Sequence, residues 1–345
     1  MQTTDLTTPA LILDTSAMHH NVAVMAERFP GPLLRPHVKA HKSTAIARAQ
    51  AGVGHTNFTC ATIREVQGMA AAGFGDDLLL ANEVVDARRL GAVAASGARV
   101  TLAVDSEFTV RVASVGGVSE VVIDVNVGLP RCGCSIDDSG RLADLARSLG
   151  LIVRGVMGYE GHLMMASPGD QRAKVEQAMG VLLAAHERVG GDLISAGGTG
   201  THQANIWANE IQAGSYVLMD SQYASLDQGF RQALFVEASV ISTTASGPGG
   251  RPYAVADAGL KAFGMDHGNP SLVGADVWFC SDEHVTFSPL ADGPLQSIAV
   301  GDRVRLIPAH CDPTVAYHES YALIASAAER DAEVLDLWPV DLRGW

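Results

Sequence analysis

The sequence has no basic stripe, no long apolar run and few cysteines, and each absence excludes something. Lys and Arg number 24 against 38 Asp and Glu, giving a formal charge of −14 and a pI near 5.2. Nucleic acid and anionic membranes both require local positive charge, so neither is expected as a partner. No window reaches the ~18 uninterrupted apolar residues of a membrane span. The opening MQTTDLTTPALILDT also lacks the basic start and apolar core of an export signal. A soluble, cytoplasmic protein is expected. The five cysteines (Cys60, Cys132, Cys134, Cys280 and Cys311) in 345 residues then read as reduced thiols. Cys132 and Cys134 form a CxC pair, but no second Cys/His pair stands nearby, which argues against a thiolate metal site.

What is present is the composition of a compact α/β protein: 47% hydrophobic, 18% charged, with 36 glycines. From residue 33 to about 220, eight β-rich runs alternate with helical stretches. They are LLRPHV, HTNFTC, DLLLAN, RVTLAV, EVVIDV, IVRGVMGYE, DLISAG and QAGSYVLM. Eight such units predict a parallel (β/α)8 TIM-like barrel. Later runs such as ALFVEASVIST, RPYAVADAG and DRVRLIPAH are separated by Gly, Pro and Asp turns with little helix, which predicts a mainly antiparallel β-domain. The expected division is an N-terminal strand segment (1–22) pairing with the β-domain, a barrel over 23–235, and a C-terminal β-domain over 236–345.

In a parallel barrel the reactive groups gather on loops at the C-terminal ends of the strands. Lys39 follows the first run, Arg131 the fifth, Tyr159 and His162 end the sixth, and GGTGT (197–201) ends the seventh. On position alone Lys39 reads most simply as a solvated turn lysine. A lysine desolvated at a strand end can instead form a Schiff base with an aldehyde cofactor. The glycine-rich turn offers N–H groups and the Thr199 and Thr201 hydroxyls to a phosphate. Lysine, phosphate cradle and following β-domain together point to pyridoxal 5′-phosphate.

Seven ordered motifs carry a resemblance: RPHVKAHKS, LPRCG, GYEGH, AGGTGT, QAGSYVLMD, DAGLKA and PAHCDPT. Together they resemble the D-threonine aldolase and D-serine dehydratase-like family of alanine racemase-like pyridoxal-phosphate enzymes, over nearly the whole chain. The resemblance implies a barrel plus β-domain, assembled as a homodimer. It implies Lys39 as the Schiff-base lysine, with Lys42 a neighbour; His37 and His41 read as structural supports of the Lys39 loop rather than ligands. Arg131 would face the cofactor's phenolate oxygen, with Tyr159 beside the cofactor, and Gln212 would meet the pyridine nitrogen. The phosphate would lie among Thr199, Gly200, Thr201, Ser215 and Tyr216.

PAHCDPT is expected at the end of a β run, where residues two apart share a face, so His310 and Asp312 should point together with Cys311 turned away. An HxD pair taken alone is more often a hydrogen-bonded couple than a metal site. As a metal pair, imidazole plus carboxylate suits a harder divalent ion such as Mn²⁺ or Mg²⁺, whereas imidazole plus thiolate favours Zn²⁺. Dehydratase members of the family resemble HxC and aldolase members HxD, so this chain is expected to be a metal-activated aldolase. It would cleave D-3-hydroxy amino acids to glycine and an aldehyde, with His162 as base. The chain departs from the aldolase pattern in reading KAH for the more common KTH and in carrying TVAYH where aldolases commonly have an asparagine. A dehydratase acting on D-serine or 3-hydroxyaspartate is the alternative, ahead of an amino-acid racemase or a non-enzymatic pyridoxal-phosphate-binding protein.

Overall fold

Strand β1 (Ala10–Asp14) does not join the strands that immediately follow it in the chain. In the computed structural model, which describes residues 1–345 apart from the Pro168 side chain, the chain forms two units. Met25–Lys39, Ile46–Gly214 and Leu342–Trp345 make up the barrel unit, and Met1–Val24, Ala40–Ala45 and Ser215–Asp341 the β-rich unit.

The barrel unit holds seven parallel strands in chain order: β2 (Asn57–Cys60), β3 (Asp77–Leu80), β4 (Val100–Val104), β5 (Glu120–Asp124), β6 (Ile152–Met157), β7 (Leu193–Ala196) and β8 (Glu210–Ile211). The eighth place is taken by residues 34–37, which make only isolated bridges, Leu34 to Ile211 and His37 to Thr59. Backbone hydrogen bonds close the ring there: Arg35 N–H donates to the Ile211 carbonyl at 2.9 Å, His37 N–H to the Ala213 carbonyl at 3.0 Å, and Thr59 N–H to the Pro36 carbonyl at 2.9 Å. The expected first strand is thus interrupted, because Pro36 has no N–H to give a ladder and a 3₁₀ turn begins at Val38. The expected eighth strand is displaced as well. Regular pairing is confined to Glu210–Ile211, and Ser215–Val217 is a 3₁₀ turn.

Alternation along these strands builds two layers from one sequence run. Leu78 and Leu80 face outward with Phe58, Leu102 and Ile123 into the core beneath the helices. Leu79, Ala103, Val122, Met157 and Leu193 form a separate apolar cluster. An ionic layer lies at the strands' N-terminal ends. Arg35, 1% exposed, pairs with Asp77 (2.9 Å) and Glu210 (2.8 Å), and Arg154 reaches Asp77 (2.7 Å) and Thr101 (2.8 Å). Burial works against the Arg35 charge, but Glu210 and Asp77 more than offset it and hold its pKa above the usual range. Burial likewise acts to raise Asp77, and hydrogen bonds from Arg154 and Arg35 reverse this, holding it below the usual carboxylate range. With that end filled by paired charges, the C-terminal end is left for chemistry.

In the β-rich unit, β9 (Leu234–Thr244), β10 (Tyr253–Ala256), β11 (Ala275–Cys280), β12 (Val285–Pro289), β13 (Arg303–Leu306), β14 (Ser320–Ile324) and β15 (Asp336–Pro339) assemble with β1 in the order β11-β12-β10-β9-β1-β14-β15, and β13 also pairs with β9. All pairs are antiparallel except β1 with β14. No helix among the described residues is long and apolar enough to cross a membrane.

Candidate active site

Lys39 occupies the 3₁₀ turn Val38–Ala40 and is half-buried. Its N–H points to His37 Nδ1 at 3.4 Å. His41 is fully buried. Its Nδ1 accepts from Ser43 N–H at 3.2 Å, and its carbonyl accepts from the Tyr321 hydroxyl at 2.7 Å. Both histidines therefore shape backbone around the lysine. Arg35, from the same motif, belongs to the ionic layer described above.

The loop after β5 carries Arg131 and is stapled by Asn126. That side chain donates to the Leu129 carbonyl (2.9 Å) and the Cys132 carbonyl (3.3 Å) and accepts from Gly128 N–H (2.9 Å). The Arg131 guanidinium lies over the Tyr159 ring, 5.0 Å from its centroid. Arg131 and Tyr159 are thus brought together as a stacked pair. His162 lies on the turn Gly161–Leu163 and is exposed. Its imidazole packs against Gly128, where a Cβ would come within 3.0 Å of the ring. It opens onto a groove of about 650 Å³ lined by Asn126, Val127, Lys174 and Gln177.

The glycine-rich loop after β7 is organised by Glu160, a fully buried carboxylate that sequence reasoning passed over. Glu160 accepts from Gly197 N–H (3.1 Å), the Thr201 hydroxyl (2.9 Å) and the Asn205 amide (2.9 Å). Thr201 N–H donates to the Gly198 carbonyl at 3.2 Å. Both donors of Thr201 therefore serve the loop's own architecture. Gly200 is pressed onto Met164, whose carbonyl oxygen would lie 2.2 Å from any added Cβ. Only glycine permits that approach.

His202 ends the loop. Its Nδ1 lies 2.8 Å from the Thr199 carbonyl and its Nε2 2.7 Å from the Arg28 guanidinium. The guanidinium only donates and the carbonyl only accepts, so the neutral ring must carry its proton on Nδ1. Burial, with the Arg28 charge beside it, pushes His202 down to about 4 from 6.5. A histidine whose folded pKa is depressed contributes stability that is complete above its unfolded pKa and is lost as pH falls through the folded value. The window here runs from 6.5 to about 4. Wild type should accordingly lose roughly 3 kcal/mol more across that window than His202→Asn. Denaturant unfolding of both proteins at a series of pH values measures this, and parallel pH profiles would refute it.

Gln212 follows β8. Its amide donates to Ser195 Oγ at 2.8 Å, and Ser195 donates to Glu210 at 2.7 Å. Glu210, paired with Arg35, can only accept. The Ser195 proton must therefore go to Glu210, and its oxygen must accept from Gln212, which fixes which way the Gln212 amide points.

Asp124, near the end of β5, is pushed well above the usual carboxylate range by burial and then by Glu83. Burial and Glu83 push the Cys132 thiol up to about 12, and burial with Asp124 does the same for Cys134. The CxC pair therefore stays protonated. Among the described residues none of the five cysteines forms a disulfide.

In the β-rich unit the HxD pair departs from the expected strand. His310 has extended backbone and is the N-cap of a helix, Cys311–Tyr317, with Asp312 in the first turn. The two side chains still converge, with His310 Nε2 4.0 Å from Asp312 Oδ1. Asp312 accepts from the Ser215 hydroxyl at 3.1 Å. That hydroxyl is thus turned to Asp312, while the fully buried Tyr216 ring packs 5.8 Å from Phe230. Cys311 is not turned clear of its neighbour as expected. It is fully buried with Sγ 3.3 Å from Asp312 Oδ1, and burial pushes its thiol well up. The helix explains the difference, because successive residues there rotate by about 100° rather than alternating between faces.

The family profile described as "Alanine racemase, N-terminal domain" matches residues 13–222. The chain belongs to the alanine racemase N-terminal domain family. A second profile, described as "Putative serine dehydratase domain", matches residues 233–324 of this family member. It is 31% identical to a 3-hydroxy-D-aspartate aldolase of Paracoccus denitrificans over all of this chain and 94% of the relative. It superposes on a crystal structure of D-threonine aldolase from Filomicrobium marinum with a TM-score of 0.89 and 32% identity, covering 100% of this chain and 97% of that one. A D-threo-3-hydroxyaspartate dehydratase of Delftia sp. is 28% identical over 98% of this chain and all of the relative.

Proposed function

We propose that this protein is a pyridoxal 5′-phosphate-dependent, metal-activated aldolase that cleaves D-3-hydroxy amino acids to glycine and an aldehyde. The observation that carries this reading is the His310–Asp312 pair, 4.0 Å apart, with a carboxylate where a dehydratase-type site would have a thiolate and with the adjacent Cys311 fully buried. The residues present fit both groups. Lys39 offers an amine on a fixed turn, the glycine-rich loop after β7 lies at the end of the barrel that takes a phosphate, and an imidazole with a carboxylate matches a hard divalent ion such as Mn²⁺ or Mg²⁺.

The bound cofactor would supply a carbonyl for the substrate amine and a sink for the electrons left at Cα, and the cation a Lewis acid for the β-hydroxyl. The chain's own residues do the rest. Lys39 would hold the cofactor through its amine. Arg131, stacked over Tyr159, would set positive charge beside it, and Gln212, oriented by Ser195, would face its ring. Thr199 and Gly200, with Ser215 and Tyr216, would receive its phosphate, while Thr201 clamps the loop to Glu160. His310 and Asp312 would hold the cation, and His162 would act as the base toward the β-hydroxyl.

Incubating the metal-loaded holoenzyme with D-threonine, D-phenylserine, D-serine and 3-hydroxy-D-aspartate should yield glycine and the matching aldehyde from at least one of them, with chelation abolishing turnover. Keto acid and ammonia without glycine would transfer the protein to the dehydratase branch. Full turnover after chelation would remove the metal role.

A further inference from the structure

We propose that Asp266 is a positioning residue for His310, holding the imidazole so that Nε2 faces Asp312. This rests on the reading of His310 and Asp312 as the metal pair. Asp266 Oδ2 lies 2.7 Å from His310 Nδ1. A carboxylate only accepts, so Nδ1 carries the proton and Nε2 keeps the lone pair. Nε2 is the nitrogen that lies 4.0 Å from Asp312 Oδ1. Two ligand atoms each about 2.1 Å from one ion can be separated by at most about 4.2 Å, so the observed gap lies within that span. A carboxylate bonded to the far nitrogen of a ligating histidine fixes both the tautomer and the ring's direction.

The ligand atoms of Asp266, His267 and His310 also lie within 4.8 Å of one another, which would allow a different metal centre built from these three. Ring geometry excludes it. The His267 and His310 rings are stacked, with centroids 4.0 Å apart and planes 11° from parallel. A metal lies in the plane of the imidazole that binds it, and two nearly parallel planes at that spacing share no such point. Asp266 instead holds the His310 ring by its edge, and His267 supports its face.

The backbone makes this arrangement a built one. Gly264 forms an antiparallel bridge with His310, and its N–H donates to Thr314 Oγ1 at 3.0 Å. Thr314 in turn donates to the His310 carbonyl at 2.7 Å. A Cβ at Gly264 would come within 2.1 Å of the Pro313 ring, so only glycine allows the segment to lie this close. The turn then closes through Gly268, whose N–H donates to the Met265 carbonyl at 3.2 Å. Asp266 itself is 54% exposed at the side chain. Its bond to His310 therefore adds little to stability and matters for orientation.

The test is Mn²⁺ affinity, measured by calorimetry on metal-stripped holoenzyme for wild type, Asp266→Ala, Asp266→Asn and Asp312→Ala, with thermal midpoints recorded alongside. Asp266→Ala should weaken Mn²⁺ binding 10- to 100-fold at an unchanged midpoint. Asp266→Asn should recover part of the loss, since its amide oxygen can accept the same N–H. If Asp312→Ala loses Mn²⁺ while both Asp266 variants bind within about twofold of wild type, the positioning role is overturned and the metal pair stands. If Asp312→Ala binds as wild type does, the metal pair fails, and the role assigned to Asp266 fails with it.

Discussion

Lys39→Ala is expected to leave a folded protein that neither retains cofactor colour on gel filtration nor cleaves substrate, with turnover reduced on the order of 10³-fold or more. The turn carrying Lys39 is set by backbone and by the neighbouring histidines, and its lysine side chain is only half-buried. Truncation should therefore cost little stability. Borohydride treatment of wild type should fix the cofactor on the peptide containing Lys39. Lys42 is the natural control, because it lies three residues on, in left-handed backbone with φ of 46°. Lys42→Asn, a residue that tolerates that conformation, should keep the cofactor. Recovery of the label on Lys42, or on no lysine, would remove the central assignment.

Much of the barrel could be read in the sequence because its signal is local. Runs such as DLLLAN and RVTLAV place alternate residues in different layers, so Leu79 and Ala103 fall in one cluster while Leu78, Leu80 and Leu102 fall in another. The two ends of the strand series were less legible. LLRPHV has the composition of a strand, yet Pro36 limits it to bridges, and QAGSYVLM gives way to a 3₁₀ turn at Ser215. In the first case the proline, which has no N–H to give a ladder, lies inside an otherwise suitable run. The helix at Cys311 was legible in principle. Asp312 and Pro313 in its first turn are helix-start signals, and the expectation of a continuing strand overrode them.

Within the candidate site, residues in motifs were easier to nominate than the groups that hold them. Glu160 stands in GYEGH, but its partners Gly197, Thr201 and Asn205 lie 37, 41 and 45 residues away. No periodicity encodes such a contact. Ser195 looks like an ordinary strand serine until Gln212 and Glu210 are placed beside it. Arg35 sits among titratable neighbours in RPHVKAHK, yet Asp77 and Glu210 draw it into the ionic layer. Partner identity depends on the fold, and a single sequence carries only the candidate's chemistry.

Asp312→Ala should lower Mn²⁺-supported cleavage of D-threonine by at least about 100-fold, beyond the 10- to 100-fold range typical for removing an outer partner of a ligand. Cofactor colour should persist, because the carboxylate is assigned to the cation. The substitution also removes the acceptor of the Ser215 hydroxyl and an acid from the first turn of the helix Cys311–Tyr317. Those losses amount to about 1 kcal/mol each, so a modest drop in thermal midpoint should accompany the loss of activity without explaining it. Asp312→Cys separates the two effects. It puts a soft ligand beside His310, so metal preference should move from Mn²⁺ toward Zn²⁺. Glycine and keto acid are to be measured together for wild type and both variants on D-threonine and D-serine, across a titration of each metal. Asp312→Ala with unaltered metal dependence would show that the carboxylate is no ligand, even with glycine as the wild-type product. Keto acid from wild type would instead place the chain in the dehydratase branch despite its carboxylate.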